Sequence, residues 1–237
     1  MRNRKVAEVG ARLCRFDDPL LLPGTGESPA DRIAKLGPLI GTPGQSYVER
    51  RNVPAEVANA AGVRFDADFR GRPAVVAALR DERDGLVSLH GRYLEHARCQ
   101  GKMFTFGQGD GVICVLGGWK GEPLILVEGL FDALSLATCG WASVATIGRW
   151  APWLAEVSAG RVVWLAFDRG RPGEAEVARY AHLLPAADLH RLPPPTRCKD
   201  WNTALAKRGR SGVTKWVIDH LAKSNGAQQL RHWEAAR

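Results

Sequence analysis

The chain has 237 residues, 45% of them hydrophobic, and a formal net charge of +8 with an isoelectric point near 9.6. This length and apolar content can form one sizeable core or two modest ones. No apolar run is long enough to cross a membrane and the basic N-terminus lacks the apolar segment of a secretory signal, so we expect a cytoplasmic protein without a membrane partner.

The first part of the chain is predicted to be a peripheral lead-in. Residues 1–45 are rich in proline and glycine, with a helix predicted over 29–36 behind an N-cap at Ser28. A helical pattern resumes over 46–61 and is broken at Pro54, because proline removes a helix hydrogen bond.

Antiparallel strands are predicted next. Residues 73–95 contain two apolar runs around the polar turn Asp84-Gly85, which favours a β-hairpin. A second strand-like pair covers 103–107 and 111–118, joined by residues 108–110. The first half is therefore predicted to be α+β.

After residue 120 strands and helices alternate, and the strands are apolar throughout. Strands are predicted at 123–127, 142–148, 161–168 and 187–192, and helices at 130–140, 150–160, 173–184, 200–209 and 213–224. This alternation is typical of a parallel sheet with helices on both faces.

The cysteines stand singly along the chain, and no Cys-x-x-Cys pair or Cys/His cluster has zinc-binding spacing. We expect reduced, mostly buried thiols and no structural zinc site. The residues are Cys14, Cys99, Cys114, Cys139 and Cys198.

Two of the apolar strands end in a carboxylate. Glu128-Gly129 follows LILV, with Asp132 four residues beyond the glutamate, and Asp168 follows VVWLAF. Each acid has a structural explanation, since Glu128 could favour the next helix dipole and Asp168 could begin a turn. Together they favour a site, because functional groups gather beyond the carboxyl ends of parallel strands. Adjacent carboxylates repel each other, and a cation such as Mg²⁺ would relieve that repulsion.

Three segments of the second half resemble the TOPRIM domain, the metal-binding fold of type IA and type II topoisomerases, bacterial and phage primases and some nucleases. LVEGLFDALSLATCGWASVATIG resembles its first motif and VVWLAFDRGRPGEAEVARY its second. CKDWNTAL resembles the Lys-Asp-x-Asn element of phage and plasmid primases. The resemblance covers about 120–208, and the order and spacing of the three elements make it specific.

The first half has a weaker resemblance to the region that precedes TOPRIM in primases. It is carried by YVERRNVPAEVANAAGVRF, by LRDERDGLVSLHGRYLE and by GKMFTFG. The implied fold class is α/β, a TOPRIM (Rossmann-like) parallel-sheet domain preceded by a smaller α+β subdomain. The implied domains are 1–119, 120–210 and a C-terminal helical extension over 211–237.

The resemblance implies a primase-like nucleotidyltransferase that synthesises short primers on a single-stranded DNA template, with Mg²⁺ or Mn²⁺ as cofactor and nucleoside triphosphates as substrates. Glu128, Asp168 and Asp200 would be the catalytic and metal-binding residues, with Glu128 also assisting proton removal. Lys199 would lie near phosphates, its alternative being an ordinary surface lysine. A replicative helicase or a zinc-finger protein would act in trans, because neither module is recognised in the chain.

Nucleic-acid binding requires basic side chains with stacking partners. The candidates are Arg80, Arg92, Arg98, Lys102 and Arg169, with Tyr93 and Phe104 as aromatic candidates that could equally belong to the core.

One position departs from the second motif, which normally reads Asp-x-Asp. The second aspartate is replaced by Gly170, so one metal ligand is missing. Two alternatives therefore remain: a TOPRIM nuclease that uses water as its nucleophile, and a nucleic-acid-binding module that has lost metal chemistry.

Overall fold

The computed structural model describes residues 27–95, 101–107 and 110–235, with side chains as far as residue 222. It contains an antiparallel sheet of four strands followed by a mixed sheet of five. No helix within these residues is both long and apolar enough to cross a lipid bilayer. The start of the predicted lead-in, residues 1–26, lies outside the described residues.

Three short helices precede the first sheet: α1 (Pro29–Ala34), α2 (Pro43–Glu49) and α3 (Ala55–Ala60). The predicted cap of α1 is present, because the Ser28 hydroxyl accepts a hydrogen bond from the backbone N–H of Asp31 at 3.1 Å. The break predicted at Pro54 separates α2 from α3.

The first sheet is antiparallel and has the strand order β1-β2-β3-β4. The predicted hairpin is its centre, and Asp84 in the turn has a φ of +65°. Successive side chains of a strand point to opposite faces. His90 and Arg92 of β3 therefore share one face, and Leu89 and Tyr93 the other. The strands are β1 (Arg64–Asp66), β2 (Ala74–Arg80), β3 (Leu86–Tyr93) and β4 (Met103–Gly107).

The second sheet has the order β5-β7-β6-β8-β9, in which only β5 is antiparallel to its neighbour. Its strands are β5 (Ile113–Val115), β6 (Leu124–Val127), β7 (Ser143–Ala145), β8 (Val162–Leu165) and β9 (Asp188–Arg191). The interpretation of 103–107 and 111–118 as a strand pair is wrong. β5 pairs with β7, and its segment contacts the first sheet through the bridge between Val112 and Arg80.

Four helices cover the second sheet: α4 (Leu130–Thr138), α5 (Leu154–Ser158), α6 (Arg171–Leu183) and α7 (Trp201–Ala235). The two helices predicted over 200–209 and 213–224 are one continuous helix. Gly209 has the left-handed φ of +65° that is typical of a helix-ending glycine, but the helix continues beyond it.

The largest hydrophobic core joins the two sheets. Val75 and Ala77 of β2 belong to the same buried cluster as Val127, Leu134 of α4 and Trp164 of β8. This shared core holds one face of the first sheet beside the carboxyl ends of β6 and β8. Cys139 and Cys198 are buried and Cys114 is half-buried, while Cys14 and Cys99 lie outside the described residues.

Candidate active site

The two strand-ending acids lie at the same edge of the second sheet. β6 and β8 are adjacent and parallel, with Leu126 opposite Leu165. Glu128 follows β6 directly and Asp168 follows β8 after two residues. Both line one cavity of about 510 Å³. The topology therefore brings together the acids that the sequence placed at the ends of separate strands.

Two further carboxylates line this cavity, and both accept hydrogen bonds from the first turn of α7. Asp132 Oδ1 accepts the backbone N–H of Trp201 at 2.9 Å, and Asp200 Oδ1 accepts that of Thr203 at 2.6 Å. These carboxyl oxygens satisfy backbone N–H groups at the helix N-terminus, which lack helical partners. The start of α7 thus fixes the positions of both acids.

Burial and neighbouring carboxylates raise the pKa of two of these acids, Asp132 and Asp168. The pKa of Asp132 is raised to about 8, chiefly by burial and then by the charges of Asp168 and Asp200. The pKa of Asp168 is raised to about 6, again chiefly by burial and then by Glu128 and Asp200, whereas Lys199 opposes the shift. Because each negative charge disfavours the next, the cavity favours a positively charged ligand.

Glu128 carries the feature that best fits a metal ion. Its Oε2 atom is buried and has no hydrogen-bond partner in the structure, a costly arrangement for a polar atom. Carboxylate oxygens are the ligands that Mg²⁺ and Mn²⁺ prefer. Nowhere in the described ranges do three or more His, Cys, Asp or Glu side chains come together to hold a metal. The residues therefore fit a cation held by Glu128 and Asp168 with water completing its coordination, rather than a closed protein cage.

The opposite wall of the cavity is basic and comes from the first sheet. Arg92 of β3 and Lys102, just before β4, line it. The Arg92 Nε donates to the Tyr47 hydroxyl at 3.4 Å, which ties this arginine to α2. Basic side chains from the first sheet and acidic side chains from the second therefore line the same cavity.

His90 also lines this wall, although the sequence did not indicate it as a site residue. Its Nδ1 is 3.0 Å from the Thr105 hydroxyl oxygen. Its pKa is lowered to about 4, first by burial and then by the positive charges of Arg92 and Arg149, so the imidazole is neutral near pH 7. The available signal was its position two residues before Arg92 in a strand, which places both side chains on one face.

Arg51 is a second lining residue that sequence reasoning did not assign to the site. Its guanidinium carbon lies 4.4 Å from the ring centroid of Phe131 and 5.1 Å from that of Tyr47. The Asn202 side-chain amide donates to the Arg51 carbonyl at 2.7 Å. Stacking and this backbone contact hold the segment between α2 and α3 against α4 and α7.

Two of the predicted nucleic-acid-binding arginines lie outside the cavity lining. Arg80 donates to the Asp84 carbonyl at 2.7 Å within the hairpin turn. The Arg169 Nε donates to the Pro194 carbonyl. Both guanidinium groups are thus engaged with backbone carbonyls elsewhere, while the candidates Lys199, Arg92 and Lys102 line the cavity. Arg98 lies outside the described residues.

The two aromatic candidates pack on the other face of the first sheet. Tyr93 and Phe104 contact Phe69 in a separate hydrophobic cluster. Arg72 stacks on Tyr93 at 3.4 Å and Arg70 on Phe104 at 4.6 Å. Neither ring lines the cavity.

Gly170, at the position of the missing aspartate, is exposed and does not line the cavity. Its φ is +98°, and a Cβ built there meets no atom within 4 Å. A side chain at this position would therefore be strained and surrounded by open space.

Comparisons with known proteins agree with this geometry. Residues 123–211 match the family model of the Toprim domain. The Aquifex aeolicus primase, solved with its zinc-binding and RNA polymerase domains, has a TM-score of 0.62 and 17% identity, over 88% of this chain and 67% of that chain. A DNA primase domain from Pseudomonas aeruginosa has a TM-score of 0.59 and 16% identity, over 82% and 79%.

The primase fragment of the bacteriophage T7 primase-helicase has a TM-score of 0.51 and 20% identity, over 73% of this chain and 72% of that chain. No curated protein matches by sequence. The family match and the shared fold lead to one conclusion: the chain carries a Toprim domain over residues 123–211, within the fold of primase catalytic cores.

Proposed function

We propose that this protein is a primase-like nucleotidyltransferase that synthesises short primers on a single-stranded DNA template. The observation that carries the proposal is one cavity lined both by the carboxylates that follow β6 and β8 and by basic side chains of the first sheet. Nucleotidyl transfer needs both, because a charged phosphate reacts while a polyanionic template is held beside it.

Each group of cavity residues has a separate role in the proposed reaction. Glu128 and Asp168 would hold a divalent cation, Mg²⁺ or Mn²⁺, and Asp200 would add negative charge while fixing the start of α7. When bound, the cation would stabilise the negative charge that develops on the transferring phosphoryl group. Lys199 would contact substrate phosphates, and Arg92 and Lys102 would contact the template backbone.

Structures with the same fold support these partners. The DnaG primase catalytic domain was solved bound to single-stranded DNA, and it is 18% identical to this chain. Primase domains of bacteriophage T7, 21% identical, were solved with an RNA/DNA hybrid and dTTP. The T7 fragment comes from a primase-helicase and the Aquifex aeolicus structure includes a zinc-binding domain, which supports a functional link to a helicase and to a zinc-binding module.

The direct test is template-dependent incorporation of labelled nucleotides in Mg²⁺ or Mn²⁺. We expect the wild type to synthesise labelled primers and Glu128→Gln to lose this activity. The variant should retain single-stranded DNA binding, because the change removes charge but little volume. Glu156→Gln is the matched control, since Glu156 is exposed on α5 and outside the cavity lining. Unchanged synthesis by Glu128→Gln would show that this cavity is not the active site.

The position of Gly170 favours a second candidate, a nucleic-acid-binding module without metal chemistry. The side chain that would complete the Asp-x-Asp pair is missing, and Gly170 is not among the residues that line the cavity. A protein that binds DNA but neither Mn²⁺ nor nucleotides would support this candidate. Cleavage of DNA in the same buffer without nucleotides would instead support the nuclease.

A further inference from the structure

Position 170 cannot supply a ligand from where it lies. Gly170 is exposed, its φ of +98° disfavours any side chain, and a Cβ built there meets nothing within 4 Å. Gly170 carries no side chain and is not among the residues that line the cavity. The cation-binding capacity of the site therefore depends on the carboxylates already present.

Two of the four cavity carboxylates are engaged with backbone N–H groups of α7. Asp132 Oδ1 accepts from Trp201 at 2.9 Å and Asp200 Oδ1 accepts from Thr203 at 2.6 Å. Each bond uses one carboxylate oxygen and holds that acid at the N-terminus of α7. Glu128, with its unpartnered buried Oε2, and Asp168 follow the adjacent strands β6 and β8 and are the pair best placed to share a cation.

The Lys199 ammonium is already next to Asp168. Its Nζ lies 3.7 Å from Asp168 Oδ2, while 74% of the lysine side chain is exposed. The Lys199 backbone is also fixed to the strand end, because its carbonyl accepts the backbone N–H of Arg169 at 2.7 Å. The backbone of Lys199 is therefore held beside Asp168, and its exposed ammonium group lies at the cavity.

We infer that the site binds one divalent cation, between Glu128 and Asp168, and that the Lys199 ammonium takes the place of a second cation. In this arrangement Lys199 neutralises Asp168 when substrate is absent and binds the triphosphate of the nucleotide when it is present. The inference rests on the proposed function for its substrate, but its geometry comes from the contacts of the cavity side chains themselves.

The test counts bound Mn²⁺ by electron paramagnetic resonance and measures affinity for an ATP analogue with a methylene α–β bridge. We expect one Mn²⁺ per wild-type chain without nucleotide. Lys199→Gln should keep this number and raise Mn²⁺ affinity by about tenfold, because a repelling charge beside Asp168 is removed. The same variant should weaken analogue binding in Mg²⁺ by about tenfold, and Lys199→Arg should restore it.

Lys215→Gln is the matched control. Lys215 is similarly exposed, at 77%, and pairs with Asp219 at 2.9 Å on α7, away from the cavity. Two Mn²⁺ ions per wild-type chain, or unchanged analogue binding in Lys199→Gln, would overturn the inference. A protein that binds one Mn²⁺ ion and needs Lys199 to bind the analogue, but synthesises no primers, would support this inference. The same result would contradict the proposed primer synthesis.

Discussion

Asp168 is the carboxylate whose ionisation best reports the charge of the cavity. Its pKa is raised to about 6 by burial, Glu128 and Asp200, and Lys199 opposes the rise. Replacing Glu128 by Gln removes one negative charge, so we expect the pKa of Asp168 to fall toward its ordinary value. Carboxyl ¹³C NMR titration of the metal-free protein measures this change.

Lys199→Gln should move the pKa of Asp168 in the opposite direction, because it removes the positive charge that favours the carboxylate form. Glu156→Gln should leave it unchanged. A pKa that does not respond to Glu128→Gln would mean that the two acids do not interact across the cavity.

His90 makes the protein sensitive to acid. Its pKa falls from 6.5 to about 4 in the folded state, so folding favours the neutral ring. The resulting stability is complete above about pH 6.5 and is lost as the pH falls through 4. Between pH 7 and pH 4.5, we expect the free energy of unfolding to fall by about 2 kcal/mol more in the wild type than in His90→Gln.

Urea denaturation of both proteins at the two pH values gives the comparison. His182→Gln is the control, because His182 is exposed on α6. Equal losses in the wild type and in His90→Gln would show that protonation of this ring does not oppose folding.

The sequence could predict which acids meet but not which basic residues join them. Glu128 and Asp168 follow adjacent parallel strands, and that rule needs only the order of elements. Arg80 and Arg92 both flank the hairpin, yet Arg92 pairs with Val75 on the face toward the shared core, whereas Arg80 lies where the register shifts. Arg51 reaches the cavity only because α2 and α3 pack on α4, a contact that no local pattern contains.

The N-terminal turn of helix α6 lies against the backbone of Asp168. A Cβ at Gly173 would lie 2.0 Å from the Asp168 carbonyl oxygen and 2.6 Å from its carbonyl carbon. Either the helix or Asp168 must move to accept it. We therefore expect Gly173→Ala to lower the free energy of unfolding by about 2 kcal/mol and to weaken Mn²⁺ binding.

Urea denaturation and Mn²⁺ titration measure these two effects. The control is Gly37→Ala, because a Cβ at exposed Gly37 meets no atom within 4 Å. If Gly173→Ala were as stable as the wild type and bound Mn²⁺ equally well, α6 would have no part in positioning Asp168.

The sequence predicted most of the strands and helices, but it predicted less well which strands pair with each other. Strand and helix alternation after residue 120 gave the parallel strands, because buried parallel strands are apolar on both faces. The same local signals suggested a strand pair over 103–118, since two apolar runs joined by a short polar segment usually pair. β5 instead pairs with β7, and this choice depends on the core into which Ile113 and Val115 pack.

For the molecule as a whole, the cavity results from packing two sheets through one core. Val75 and Ala77 of the first sheet share a cluster with Val127 of the second, so the basic face of β3 lies opposite the acids. Periodicity predicted each sheet separately. It carried no information on their mutual packing, which is why the sequence did not predict that the face of β3 carrying His90 and Arg92 would line the same cavity as the acids.

The basic residues of the cavity predict how DNA binding should depend on salt concentration. Arg92 and Lys102 line the cavity, whereas Arg80 is engaged in the hairpin turn. Each phosphate that a basic side chain neutralises releases counterions from the strand. We therefore expect Arg92→Gln and Lys102→Gln each to reduce the steepness of the log–log salt dependence of single-stranded DNA affinity by about 0.7.

Fluorescence anisotropy with an oligo-dT strand over a series of KCl concentrations measures the slope. Arg80→Gln removes the same charge from the same sheet and should leave the slope at its wild-type value. Equal effects of Arg80→Gln and Arg92→Gln would mean that DNA responds to the net charge of the first sheet rather than to the cavity wall. In that case the template would have to lie elsewhere on the protein.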